Sequence, residues 1–143
     1  MSSASVAAAE RDSNSIIERQ LDERVDALTS ASKADVLTYL GPMYPPADDE
    51  IKDAIDTTPD KERNLLVLHE TSGGYITVAE RIARIFRHHY VRVEFVVPTY
   101  AMSAGTVLAM SGDAIQMDYA STLGPVDPQV RNRAEQWFTR LDT

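Results

Sequence analysis

Apolar positions change their period several times along this chain, and each change marks an element. Ile17, Leu21, Val25 and Leu28 recur four, four and three residues apart with charges between them. That spacing predicts an amphipathic helix with one apolar stripe. Asp12 or Ser13 is its expected N-cap. Residues 1–11, rich in Ser and Ala and without periodicity, are expected to form a flexible tail. Asp35 to Leu40 reads as a strand, stopped by Gly41-Pro42. Met43-Tyr44-Pro45-Pro46 must then be a loop, because proline cannot continue a ladder. Ala47 to Asp56 is predicted helical, with Ile51 and Ile55 on a narrow apolar face. The acids Asp48, Asp49 and Glu50 open it, where they suit the positive end of the dipole, and the expectation is a solvated helix start.

Leu65-Leu66-Val67-Leu68 is a continuous apolar run between a polar loop and a Ser-Gly-Gly turn, which predicts a buried strand. After Gly73-Gly74 the period returns to that of a helix, with Val78, Ala79, Ile82, Ile85 and Phe86 on one face. Val91 to Val97 is the next strand, ended by Pro98. Residues 103–112 are small and apolar and read as a close-packed helix capped by Gly112. Ala114 to Asp118 reads as a short strand and Thr122 to Pro128 as a tight loop. Weak helical character is expected around Ala134 to Leu141. Alternating strands and helices predict an α/β fold with parallel strands and right-handed crossovers.

Composition narrows the class without naming a chemistry. The 143 residues are 43% hydrophobic and 25% charged, the size and make-up of one globular domain. The single domain is expected over 12–143. Acids outnumber bases 22 to 14, a net charge of −8. Such a chain repels phosphate backbones and anionic membrane surfaces, so neither nucleic acid nor membrane is an expected partner. The absence of cysteine removes disulfides, thiolate metal sites and a cysteine nucleophile. No apolar run reaches the roughly 20 residues that span a bilayer, and the start lacks a signal-peptide pattern, so a cytoplasmic location is expected. No ligand spacing points to a metal.

Ligands in folds of this kind sit at the C-terminal ends of strands, and two such ends carry unusual residues. Gly73-Gly74 allows positive φ and close approach to the backbone. It can serve as an oxyanion or phosphate cradle, or simply as a tight turn. Ser103 stands at a predicted helix start among Ala101, Ala104 and Gly105. The layout Ala-x-Ser-x-Gly is similar to the Gly-x-Ser-x-Gly nucleophile elbow, yet a serine at a helix start is also a common cap.

Four blocks taken together carry a resemblance. They are Thr71-Ser72-Gly73-Gly74, Tyr100-Ala101-Met102-Ser103-Ala104-Gly105-Thr106, Ser111-Gly112-Asp113 and Leu123-Gly124-Pro125-Val126-Asp127-Pro128-Gln129. In this order, the stretch from Leu65 to Val130 resembles the serine dehydrogenase proteinase family of the Clp-protease/crotonase-like superfamily. The resemblance implies a spiral of ββα units, a homo-oligomer and a peptide or protein substrate. It implies a nucleophile at Ser103 and an oxyanion hole from the amides of Gly74 and Ala104. The amphipathic helix and the 103–112 helix are then the candidates for subunit contact.

One departure bears on function. Clp-type peptidases place a histidine downstream of the serine, and signal-peptide-peptidase-like relatives use a lysine. Here His69, His88 and His89, and Lys33, Lys52 and Lys61, all precede Ser103. His69, at a strand end, and Asp127, in the matching loop, are the two candidate bases. The chain is accordingly expected to be a short or truncated member, with the domain incomplete at its C-terminus. The expected function is a serine hydrolase, a peptidase with a helix-start nucleophile. The alternative is a non-catalytic assembly or interaction protein of the same fold that lacks the base. A crotonase-like acyl-coenzyme A enzyme is a third reading, with Glu70 the one acid near the motifs. No cofactor is expected, since no lysine near the motifs could hold pyridoxal phosphate.

Overall fold

The computed structural model describes residues 3–127, 129–131 and 137–139, with side chains for 14–127. Helix α1 (Ser3–Ser32) is followed by strand β1 (Asp35–Leu40), helix α2 (Ala47–Thr57), strand β2 (Asn64–Glu70), helix α3 (Ile76–His89) and strand β3 (Arg92–Val97). Then come β4 (Tyr100–Ala101), α4 (Ala104–Met110), β5 (Ala114–Met117), β6 (Thr122–Leu123), β7 (Gln129–Arg131) and β8 (Trp137–Thr139). Among the described residues, no helix is long and apolar enough to cross a membrane.

The main sheet has the order β1-β2-β3-β5 and is parallel throughout. Its central strand β2 buries Leu65, Leu66 and Val67, as a strand covered on both faces should. Phe95 of β3 sits opposite Val67 in the register. With Leu65, Ile82, Phe86 and Leu108 it forms a core in which each side chain is at most 2% exposed. Helix α3 packs on α2 and on α4, and α1 touches chiefly β1.

A second, shorter tier lies across the C-terminal ends of these strands. Met43 bridges Gly74, and Thr71 bridges Ala101. Ala101 in turn pairs with Leu123 of β6, again in parallel. Three of the four sequence blocks meet in this tier.

Several expectations are corrected. Helix α1 begins at Ser3, so Asp12 and Ser13 lie inside it and do not cap it. The stretch Ala7-Ala8-Ala9 has the highest helix propensity available, which extends the helix back without an apolar stripe. Trp137–Thr139 is a strand, paired antiparallel with Gln129–Arg131, where weak helix was expected. Aromatic and β-branched residues favour the pleated surface. The rest of the expected 134–141 helix lies outside the described residues. The α4 helix buries Ala104, Gly105, Thr106, Leu108 and Ala109 within the domain and exposes Met110.

The acidic run of α2 is not uniformly solvated. Asp48 is 2% exposed and forms an ion pair with Arg81 of α3. Arg81 also reaches Asp49 at 2.8 Å. One guanidinium thus ties the first turn of α2 to α3.

Candidate active site

Ser103 joins β4 to α4 at a sharp turn. Its backbone adopts φ 51°, ψ −121°, a region that residues with a β-carbon rarely enter. A strand-to-helix turn of this kind, with a serine at its tip, has the form of a nucleophile elbow. The hydroxyl makes no capping hydrogen bond, so the capping role does not hold. Ser103 is half-buried.

The elbow is held from several sides. The Met102 amide donates to the Thr71 carbonyl at 2.9 Å, and the Gly105 amide to the Met102 carbonyl at 2.9 Å. The Thr106 hydroxyl donates to the carbonyl of Ala101 at 2.6 Å and lies 3.2 Å from that of Gly124. The Gly124 amide returns to the Ala101 carbonyl at 2.9 Å. Gly124 also packs on Met102 so closely that no β-carbon would fit there. The Leu123–Asp127 block therefore braces the elbow from behind.

The glycine pair faces the same elbow. Gly73 has φ +98° and Gly74 φ +153°, both conformations that glycine takes at no steric cost. The Gly73 amide donates to the Thr71 hydroxyl oxygen at 3.0 Å. The Met43 amide donates to the Gly73 carbonyl at 2.8 Å, and the Tyr75 amide to the Met43 carbonyl at 2.9 Å. A β-carbon at Gly74 would meet that Met43 carbonyl oxygen at 2.3 Å. Among the described residues, the amides of Gly74 and Ala104 have no hydrogen-bond partner. Two unspent backbone donors thus flank the serine in sequence blocks that touch.

The Ser111-Gly112-Asp113 block lies at the other end of α4 and does structural duty. Asp113 accepts from Arg87 Nη1 at 2.7 Å and from the Val93 amide at 2.8 Å. These donors hold its carboxyl below the usual range, the Arg87 hydrogen bond most of all. A β-carbon at Gly112 would strike the Phe95 ring at 2.6 Å.

The two candidate bases have opposite surroundings. His69 is fully buried, with Nε2 3.0 Å from the Gly105 carbonyl oxygen. Burial lowers its pKa below the ordinary value of 6.5, against the weaker pull of that hydrogen bond. Asp127 is exposed. His88 and His89 close α3, where His89 lies 3.2 Å from Asp56. Lys52 is bound to Asp56, and Lys61 donates to the Thr58 carbonyl.

Sequence reasoning missed the aromatic pair beside the glycine turn. Tyr44 and Tyr75, both about half exposed, set their ring centroids 5.4 Å apart. Their neighbourhood follows from the Met43–Gly74 bridge, which no local pattern announces.

Comparison with known proteins agrees with this fold. The family model of the ClpP-like SDH-type serine proteinase matches residues 5–138. The uncharacterised protein MJ1495 of Methanocaldococcus jannaschii is 39% identical over 119 residues, covering 80% of this chain and 40% of that protein. The chain therefore spans less than half the length of this relative. Two structures of the 1510-N membrane-bound stomatin-specific protease share the fold with a TM-score of 0.61 each. One is a lysine-to-alanine mutant in complex with a substrate peptide, 20% identical, covering 74% of this chain and 51% of that one. The other is a serine-to-alanine mutant, 18% identical, covering 74% and 54%. With its match running over almost the whole sequence, the chain belongs to the ClpP-like SDH-type serine proteinase family.

Proposed function

We propose that the chain is a serine hydrolase acting on peptide bonds, with Ser103 as nucleophile. The observation that carries this reading is the strained, uncapped Ser103 turn with the Gly73-Gly74 turn packed against it. The Ser103 Oγ attacks the scissile carbonyl carbon and gives its proton to a base. The carbonyl oxygen becomes an oxyanion, received by the amides of Gly74 and Ala104. Fixed donors of this kind stabilise charge that develops only in the transition state. The tetrahedral intermediate then expels the amine, which takes the proton, and water releases the acyl group from the serine. Of the two candidate bases, Asp127 is the one that solvent reaches.

The peptide substrate is supported by the family and by the substrate peptide held by the 1510-N neighbour. A homo-oligomer is supported by α1, which leaves Ile17 and Leu21 more than half exposed.

A specific observation favours a second reading, a non-catalytic member of the family. His69 is sealed in the core, and Lys33, Lys52 and Lys61 all precede Ser103; the 1510-N neighbour is known as a lysine-to-alanine mutant and, separately, as a serine-to-alanine mutant. Labelling with a fluorophosphonate probe separates the two. A single adduct on the parent and none on Ser103→Ala supports the hydrolase. No adduct on the folded parent supports the non-catalytic reading.

A further inference from the structure

We infer that His69 is a positioning residue: it holds the Gly105 carbonyl, thereby fixes the first turn of α4 and the Ser103 elbow, and is not the general base. The inference leans on the proposed nucleophile for its kinetic readout alone.

The argument begins with strand parity. Leu65, Val67 and His69 alternate along β2 and share one face of the sheet, and all three are at most 1% exposed. The imidazole lies between the rings of Tyr39 and Phe95, with centroids 5.9 Å and 5.6 Å away. Both rings belong to strands that flank β2. The first turn of α4 rests directly on this strand end. A β-carbon at Gly105 would stand 2.1 Å from Thr71 Cγ2 and 3.3 Å from His69 Nε2. Glycine at 105 is what lets the helix come within hydrogen-bonding reach.

The chemistry of the contact then fixes the tautomer. A backbone carbonyl only accepts, so at 3.0 Å Nε2 must carry the hydrogen. Nδ1 is left as the bare nitrogen, buried and without a partner among the described residues. A base for Ser103 has to offer a bare nitrogen to the hydroxyl. The nitrogen that faces α4 is already a donor, and the other is buried and bonded to nothing among the described residues, the Ser103 hydroxyl included. What remains for His69 is a clamp. The Ser103 backbone occupies a sparsely populated region, and such geometry persists only where the surroundings over-determine it. The Nε2–Gly105 bond acts two residues from the serine, beside the Thr106 and Gly124 contacts to Ala101.

The test combines NMR of the 15N-histidine-labelled chain with fluorophosphonate labelling rates of the parent, His69→Phe and His69→Gln. Phenylalanine keeps bulk without a donor, whereas glutamine keeps a donor. The expected results are an Nε2–H tautomer in the parent and labelling slowed about 10- to 100-fold in His69→Phe, the scale of a small misplacement of the nucleophile. In His69→Gln the rate is expected to return to within a few-fold of the parent, with the same midpoint of the pH–rate profile. An Nδ1–H tautomer overturns the inference, and so does a His69→Phe chain that labels as fast as the parent. A His69→Gln chain as inert as Ser103→Ala assigns His69 as the base instead. If the parent does not label, the nucleophile reading has failed. Hydrogen exchange of the α4 amides then decides the clamp: faster exchange in His69→Phe, restored in His69→Gln, upholds it, and unchanged exchange overturns it. If His69→Phe does not fold, the tautomer and the glutamine variant decide.

Discussion

Gly73 lies against Ser103: a β-carbon at position 73 would stand 2.8 Å from the serine's own β-carbon and 2.8 Å from the Met102 carbonyl oxygen. Two segments 30 residues apart in sequence thus meet with no room for a methyl group. Gly73→Ala must push the glycine turn away from the elbow and carry the Gly74 amide with it. Removing one oxyanion donor typically slows a reaction about 100- to 1,000-fold. We expect probe labelling of Gly73→Ala to fall on that scale while Ser103→Ala remains as stable as the parent or more so. Undiminished labelling would show that the turn does not set the site.

Gly105 and Thr71 form a tighter pair still. Gly105→Ala brings its methyl to 2.1 Å from Thr71 Cγ2, and overpacking of this kind costs about 1–3 kcal/mol. Thr71→Ser removes that methyl and keeps the oxygen that accepts from the Gly73 amide. Urea unfolding of the two single variants and the double variant should show strong coupling, the double variant recovering most of the loss. Simple additivity would mean that the two residues are not in contact.

Arg81 gives a third expectation. Its partner Asp48 is nearly sealed, whereas Asp49 is 60% exposed. The exposed contact contributes little. Loss of the buried one leaves a carboxylate without its donor, at about 1–3 kcal/mol or more. Arg81→Leu should therefore destabilise the chain clearly, and Asp49→Ala hardly at all. Equal effects in thermal unfolding would count against this division.

His69 also sets a pH dependence. Its folded pKa is depressed, with burial the main cause, so the unfolded chain binds the proton more readily. Its contribution to stability is complete above the ordinary value of 6.5 and is lost as pH falls below it toward the folded value. One such group changes stability by at most about 1.4 kcal/mol per pH unit. Asp56, Glu94 and Asp113 are lowered by Lys52, Arg92 and Arg87 respectively, and they act in the acid range below their ordinary values of 3.8 to 4.5. As pH falls below 6.5, and before the carboxylates begin to titrate, the parent should lose stability while His69→Gln does not. Parallel curves would mean that His69 has no depressed pKa.

Much of this architecture is legible in the sequence because the central strand β2 is buried on both faces and α3 on one. Leu65 to Leu68 and Val91 to Val97 announce themselves as runs, and Val78, Ala79, Ile82 and Phe86 as a helical face. The short tier is not legible. Tyr100–Ala101 and Thr122–Leu123 are two-residue strands whose pairing is wholly tertiary. The Asp48-Asp49-Glu50 run reads as solvent-facing because local pattern cannot foresee Arg81 arriving from another helix. For the site, the four blocks pointed to Ser103 and the glycine turn, and the structure packs the two against each other. The burial of His69 could have been read from parity with Val67. Its carbonyl partner could not, because that depends on how closely α4 settles on β2.

The Ser103 backbone angles carry one last consequence. Holding a residue with a β-carbon in such a region costs about 1–3 kcal/mol, and glycine would be relieved of most of that. Ser103→Gly is therefore expected to melt at a higher temperature than the parent, a gain purchased with the hydroxyl. A domain that served only as scaffold would be sturdier with glycine there. The serine marks a point where the molecule is less stable than its own fold allows, the trade between rigidity and reactivity that the proposed nucleophile would make.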